Sequence, residues 1–278
     1  MDSHTRAPDD DAALAAELPQ ADATSLVDTD VLEAKVKQMY RQVAREEEAE
    51  LHFEVGPELA LHLGYPRDLL DAIPAEALAS FAGVGYHLDL ARLEPGDRVL
   101  DLGSGSGTDA FCAAVQVGGS GHVAGVDFTD DQVAKATRLR DRDGFEQAEF
   151  VEASIDDLPF KDASFDAVIS NGVINLSPLK GRVFAEAARV LRPGGRLAVA
   201  DIVSGKPLKE RTRRNVELWA ACIAGAIPRS SYLQTIESVG FRVNTVRGND
   251  YRFLSERALD ACSTYSVESI SLAATRET

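Results

Sequence analysis

Three glycines two residues apart, Gly103, Gly105 and Gly107, follow the stretch Arg98-Val99-Leu100-Asp101-Leu102 and precede Thr108-Asp109, where a helix can begin. Glycines at this spacing let the backbone turn tightly and approach a ligand where a strand meets a helix, the place at which parallel α/β proteins bind nucleotides. The pattern is G-x-G-x-G, with Thr108 where the dinucleotide motif requires glycine, and no lysine follows as in the phosphate-cradling loop of ATPases. Asp101 gives the turn a sign, since a carboxylate at its mouth repels a pyrophosphate and attracts an ammonium group. A nucleoside that carries an amino acid instead of phosphates satisfies these conditions, and S-adenosylmethionine (SAM) is such a molecule. Asp127, 24 residues beyond Gly103, ends the next apolar run and can accept both ribose hydroxyls. Thr129 and Asp130 are better placed to cap the helix that follows. In the loop Ser154-Ile155-Asp156-Asp157-Leu158-Pro159-Phe160, Ile155 can pack on an adenine face and Asp156 can take its amino group. Ser104 and Phe128 complete the candidate cofactor set.

These residues need rigid elements to carry them. Apolar runs at Arg98 to Leu102, His122 to Asp127, Ala148 to Glu152, Ala167 to Ser170 and Arg196 to Asp201 read as strands buried on both faces. Helical patterns fall between them, near Asp109 to Val117, Asp130 to Arg142 and Gly181 to Leu191, the last stopping at the breaker Arg192-Pro193-Gly194-Gly195. This alternation predicts an α/β fold with a mostly parallel sheet. Helices resume over Leu208 to Gly225 and Ser230 to Val239, and late strands at Phe241 to Arg247 and Glu268 to Thr275 flank a Ser255 to Tyr265 helix. Ahead of the first strand, Val31, Leu32, Val36, Met39, Tyr40 and Val43 recur at helical spacing up to about Glu50. A second helical region, Pro57 to Phe81, is broken near Gly64-Tyr65-Pro66 and Pro74. The expected organisation is a disordered acidic tail over 1–28, a helical segment over 29–94 that covers the active site, and a domain over 95–278 with substrate-side helices at about 204–240.

Acidic residues outnumber basic ones 45 to 29, a formal net charge of −16 that disfavours nucleic acid and anionic membranes as partners. Only seven of the basic residues are lysine; a high-salt cytoplasm and simple compositional drift both account for this balance. Neither an apolar run of about 18 residues nor a signal-peptide pattern occurs, so the sequence reads as a soluble cytoplasmic protein. The three cysteines, Cys112, Cys222 and Cys262, are too few and scattered for a disulfide framework, and the histidines offer no metal spacing.

Val99 to Gly107, Asp127, Asp157-Leu158-Pro159-Phe160, Phe165-Asp166-Ala167-Val168 and Leu191-Arg192-Pro193-Gly194-Gly195 together resemble the ordered motifs of the class I SAM-dependent methyltransferases. The resemblance is close over roughly residues 95 to 203. It implies a Rossmann-like sheet of seven strands with helices on both faces, its last two strands forming an antiparallel hairpin. It also places Asp101, Gly103 and Gly105 near the methionine part of SAM, Asp127 at the ribose, and Asn171 below the sulfonium.

A narrower similarity to the arsenite methyltransferases runs through Gly83-Val84-Gly85, Ser170 to Pro178 and Trp219 to Ala226. That family is marked by one arsenic-binding cysteine in each of these segments, whereas this chain has Val84, Gly172 and Cys222 there. Soft As(III) requires thiolate ligands, and one cysteine makes no chelate. The fold and pocket location therefore carry over, while the acceptor stays open between arsenic, which can arrive already tied to small thiols, and an organic acceptor such as a quinone, sterol or natural product. A SAM-binding protein without catalysis is the reading from another class. An organic acceptor that must lose a proton needs a base. Tyr86 and His87 are the candidates on the substrate side, against a role in packing. Tyr40 can close over the cofactor or serve as a core contact. Trp219 and Cys222, at i and i+3, can line the acceptor pocket or form a buried pair.

Overall fold

The computed structural model describes residues 23–45, 54–220 and 222–278. Its sheet is built from β1 (Arg98–Leu102), β2 (His122–Asp127), β3 (Ala148–Glu152), β4 (Phe165–Asn171), β5 (Leu191–Val203), β6 (Phe241–Gly248) and β7 (Glu268–Arg276), in the order β3-β2-β1-β4-β5-β7-β6. The first five strands pair parallel, and β7 lies antiparallel between β5 and β6. Val99, Leu100, Leu102, Val168 and Ile169 are wholly buried, as strands covered by helices on both faces must be. β2 and β3 build outward from one side of β1, and β4 and β5 from the other. Strand order thus reverses between β1 and β4, and their carboxyl ends flank a crevice, the position where open α/β sheets bind ligands.

Ahead of the sheet come α1 (Thr29–Arg45), α2 (Pro57–His62), α3 (Arg67–Asp71), α4 (Ala75–Ala79) and α5 (Leu88–Ala91). The expected breaks at Gly64-Tyr65-Pro66 and Pro74 separate α2, α3 and α4. Leu59, Tyr65, Leu70 and Phe81 from this region pack with Phe111, Cys112 and Val117 of α6 (Thr108–Val117) against β1. Cys112 is therefore a core residue. The opposite face is filled by α8 (Lys180–Val190) and α11 (Arg229–Ser238), with Phe184 and Tyr232 edge to face at 5.4 Å. Following β2, α7 (Asp130–Asp143) docks against β3 and under α1.

Several expectations are corrected. Of the segment read as a disordered tail, 1–22 lie outside the described residues, whereas 23–28 form a packed turn: Ala23 donates its N–H to the Pro178 carbonyl at 2.9 Å and Val27 is buried. α1 ends at Arg45, and the remainder of the expected helix lies outside the described residues. The Arg192-Pro193-Gly194-Gly195 breaker falls inside β5, where pairing jumps from Phe165–Leu191 to Ala167–Arg196 and the four residues bulge out of the ladder. Proline has no N–H for the ladder, and Gly194 takes φ 76°. Leu208 to Gly225 is not one helix. It divides into α9 (Glu210–Arg213) and α10 (Val216–Ala220), because Asn215 turns its side chain onto the Leu218 N–H at 3.1 Å and Cys222 takes the left-handed φ 60°. As expected, the late strands β6 and β7 flank a helix, α12 (Glu256–Tyr265), capped by Ser255.

Candidate functional site

The crevice is floored by the turn between β1 and α6. Gly103, Gly105 and Gly107 take φ of 69°, 54° and 96°, the left-handed region where a side chain is strained. At Gly103 space also forbids one: an added Cβ would stand 2.5 Å from Val173 Cγ2. Gly107 serves a different purpose from the one expected. A Cβ there would meet Phe111 and Phe150, and the residue does not line the crevice, so it permits close packing of the turn on the core.

Asp101, at the end of β1, is 2% exposed, and its Oδ2 has no partner among the described residues. Burial, reinforced by the nearby Asp109 and Asp127 carboxylates, drives its pKa well above the ordinary carboxylate range. Asp127, at the end of β2, accepts the Gly105 N–H at 3.0 Å and the Thr129 N–H at 2.8 Å. Thus Asp127 itself satisfies the donor at the entry to α7, while the Thr129 hydroxyl makes no cap. Each Asp127 oxygen accepts only one of these bonds and keeps capacity for a further donor. Burial raises its pKa, and the two backbone donors oppose the rise.

Across the crevice stand Tyr40 of α1, Phe81, Gly83, Asn171, Gly172, Val173 and Leu176. A second space of about 400 Å³, which shares Gly103, Phe128, Val173 and Leu176 with the crevice, lies under α1, where Leu32 and Val36 face Phe128, Ile155, Asp156 and Pro178. Asp156 spends one oxygen on the Ser154 hydroxyl at 2.6 Å. The cover is held by Arg41 to Asp130 at 2.8 Å, by Gln132 donating to the Tyr40 carbonyl at 3.0 Å, and by the Ala23–Pro178 bond.

Asn171 lines the crevice and is also a structural tie. Its Oδ1 accepts the Val84 N–H at 2.8 Å, and its Nδ2 lies 3.0 Å from each of the Tyr65 hydroxyl, the Gly85 carbonyl and Asp109 Oδ2. Tyr65 in turn donates to Asp109 Oδ1 at 2.5 Å. The amide therefore ties the 83–85 loop and the start of α6 to the end of β4. Neither Tyr65 nor Asp109 was singled out in the sequence; a tyrosine between two breakers and an acidic residue in a first helical turn gave no signal for this network.

The three segments expected to form the acceptor side do converge. A Cβ on Gly172 would lie 3.3 Å from Val84 Cγ1, and the Cys222 thiol points at the Gly172 carbonyl at 3.9 Å. Gly172 lines the crevice, with Val84 and Cys222 buried directly behind it. Burial pushes the Cys222 thiol up to about 12, and the Tyr40 hydroxyl faces it. Trp219 is not a lining residue. It is 1% exposed, and its indole N–H bonds the Arg213 carbonyl at 2.5 Å. Tyr86 and His87 also stand outside the lining. Tyr86 packs on Tyr65 with ring centres 4.7 Å apart and planes tilted by 58°, and His87 is wholly buried, which lowers its pKa. Among the described residues no group of three or more His, Cys, Asp or Glu is arranged to hold a metal ion, and no helix is long and apolar enough to cross a membrane.

Residues 93–255 match the family model of the methyltransferase domain. The arsenite methyltransferase of Halobacterium salinarum is 38% identical over 188 residues, covering 68% of this chain and 48% of that protein. That of Aquipseudomonas alcaligenes is 39% identical over 182 residues, covering 63% and 52%. The chain thus spans about half the length of these curated relatives. A solved arsenic(III) S-adenosylmethionine methyltransferase from Chlamydomonas reinhardtii superimposes with a TM-score of 0.60 at 32% identity, over 81% of this chain and 75% of that one. A 3-2-1-4-5-7-6 sheet, a glycine turn between two buried aspartates, and these likenesses lead to one conclusion: the chain belongs to the class I methyltransferase-domain family and is related to the arsenite methyltransferases.

Proposed function

We propose that the protein transfers a methyl group from SAM to a small-molecule acceptor. The observation that carries this reading is the buried Asp101 carboxylate beside the glycine turn, whose Oδ2 has no partner among the described residues. A buried carboxylate is costly unless a cation or donors meet it, and the ammonium of an amino-acid-bearing nucleoside supplies both. The residues present fit such a ligand. Asp101, Gly103 and Ser104 would hold its amino-acid end, Asp127 its ribose, and Phe128 with Ile155 its base. When bound, SAM supplies an electrophilic methyl on a sulfonium. The chain's own residues align the acceptor and exclude water, with Tyr40 and the apolar side of α1 closing the crevice. Calorimetry with SAM and with S-adenosylhomocysteine tests the reading: binding by the intact protein and its loss in Asp127→Ala are expected, and absence of binding overturns it.

An organic acceptor is the second reading, favoured by the wall at Val84, Gly172 and Cys222. Two of its three positions carry no sulfur, and burial keeps the one thiol protonated. Thiolate is the form that binds As(III). Labelled SAM offered with arsenite, with and without glutathione, and with fractionated metabolites decides between the two; a labelled arsenical formed without added thiol would eliminate the organic reading.

A further inference from the structure

Behind the acceptor side of the crevice lies a lysine in a place where lysine is rarely found. Lys180, in the first turn of α8, is 2% exposed and does not line the crevice. Its ammonium donates to the Asn175 carbonyl at 2.9 Å and to the Ser177 carbonyl at 2.9 Å, and sits 5.1 Å from the centre of the Trp219 ring. Asn175 belongs to the single 3-10 turn Ile174–Leu176 that follows Gly172 and Val173, and it sends its own Nδ2 to the Cys222 carbonyl at 2.5 Å. Trp219 accepts the Cys222 N–H on its carbonyl at 2.9 Å. One side chain thus grips the segment that carries Gly172, Val173 and Leu176, and also the ring that begins the turn into Cys222. The Asp201 carboxylate, held by the Tyr232 hydroxyl at 2.6 Å, supplies the nearby opposite charge.

We propose that Lys180 is a positioning residue that clamps the Cys222 turn against the Gly172 segment and so sets the backing of the acceptor wall. A purely structural lysine would be needed only for overall stability, and its loss would loosen every buried site alike. The clamp instead joins two loops at the C-terminal edge of the sheet, and neither loop reaches the packing of α6 around Cys112. Its loss frees the Cys222 turn while leaving Cys112 protected. Cys222 itself suits a local opening, because its φ of 60° is a strained conformation that only the surrounding contacts hold. The inference rests on the methyl-transfer reading only in calling this wall the acceptor side; the clamp is measured without any turnover.

The experiment is pulse labelling of the full chain with N-ethylmaleimide under native conditions, with Cys222 and Cys112 read separately by peptide mass spectrometry, in wild type and Lys180→Met. Methionine keeps the length of the stem and removes the charge and the donors. Labelling of Cys222 faster by roughly tenfold or more, with Cys112 unchanged, is the expected result, since a lost charge-assisted hydrogen bond is worth on the order of one such factor or two. Unchanged labelling of Cys222, or equal acceleration at both cysteines, overturns the clamp. Should Lys180→Met fail to fold, Lys180→Gln, which removes the charge and keeps a shorter polar stem, takes its place, and the same two rates decide. SAM affinity, measured on the same samples by calorimetry, is expected to be unchanged. A wild type that binds no SAM overturns the methyl-transfer reading and leaves the labelling result to be judged on its own.

Discussion

Gly103→Ala isolates the geometry of the floor. The substitution meets two penalties that add. A side chain at φ 69° pays the left-handed backbone cost, about 1–2 kcal/mol. The new Cβ also falls 2.5 to 2.7 Å from Cγ2, Cβ and Cγ1 of Val173, closer than carbon atoms tolerate, so the Val173 segment must shift. Overpacking of this kind costs about 1–3 kcal/mol, giving a total of about 2–5 kcal/mol. The second penalty is removable. Val173→Gly deletes all three clashing carbons, whereas Val173→Ala leaves Cβ at 2.6 Å and gives little relief. Urea unfolding of wild type, Gly103→Ala, Val173→Gly and the double variant completes a double-mutant cycle with an expected favourable coupling of about 1–3 kcal/mol, and the backbone penalty remains. A single variant within about 0.5 kcal/mol of wild type, the range of an ordinary surface change, or a cycle with no coupling, refutes the steric argument for a glycine at this position.

Asp127→Ala is expected to weaken SAM binding at least roughly tenfold, because hydrogen bonds to a charged acceptor are worth about 1.5–3 kcal/mol each; calorimetry reads the change. Tyr65→Phe removes the 2.5 Å bond to Asp109 and one contact of the Asn171 amide, so a loss of about 1–3 kcal/mol in urea unfolding is expected, and a neutral result would separate that hydroxyl from the network. The pH dependence of stability carries two opposed slopes. Burial raises Asp201 from 3.8 to about 6, so between those values the folded chain holds the proton the unfolded one releases, and stability falls as pH rises. Burial lowers Lys180 from 10.5 to about 7, so above pH 7 the unfolded chain holds the extra proton, and stability rises with pH. Asp101, Asp127 and Cys222 add slopes of their own, so the Lys180 contribution is read as a difference: from pH 7 upward the denaturant midpoint of wild type should rise relative to that of Lys180→Met.

The sheet was legible because each strand is a short run of Val, Leu, Ile and Ala between recognisable breakers. Its bounds erred where a breaker was absorbed, as at Arg192-Pro193-Gly194-Gly195, since a bulge costs a strand little when its neighbours keep their register. The crevice was legible at Asp101, Gly103, Gly105 and Asp127, which lie within one strand-turn-helix unit and at the end of the next strand, so local spacing carries their geometry. Contacts over long sequence separation left no such trace. Asn171 meets Tyr65 across 106 residues, and Asn175 meets Cys222 across 47. Asparagine, tyrosine and lysine in those places read as ordinary loop and helix residues until the fold joins them. The same limit misled the reading of Trp219 and His87: sequence position put them near the site, and burial turned both away from it.

α1 covers two compartments at once. Leu32 and Val36 roof the space above Phe128 and Ile155, and Tyr40, one turn beyond Val36 on the same helix, faces the wall where Gly172 and Cys222 meet. A helix is stiff over that distance, so a displacement of α1 would be felt in both spaces. On the proposed methyl-transfer reading, donor and acceptor would both lie against this one helix, whose outer anchors are exposed ion pairs of Arg41 to Asp130 and Asp131. Such pairs weaken as ionic strength rises, so the hold of α1 over both spaces is expected to loosen with salt, read as a salt-dependent SAM affinity.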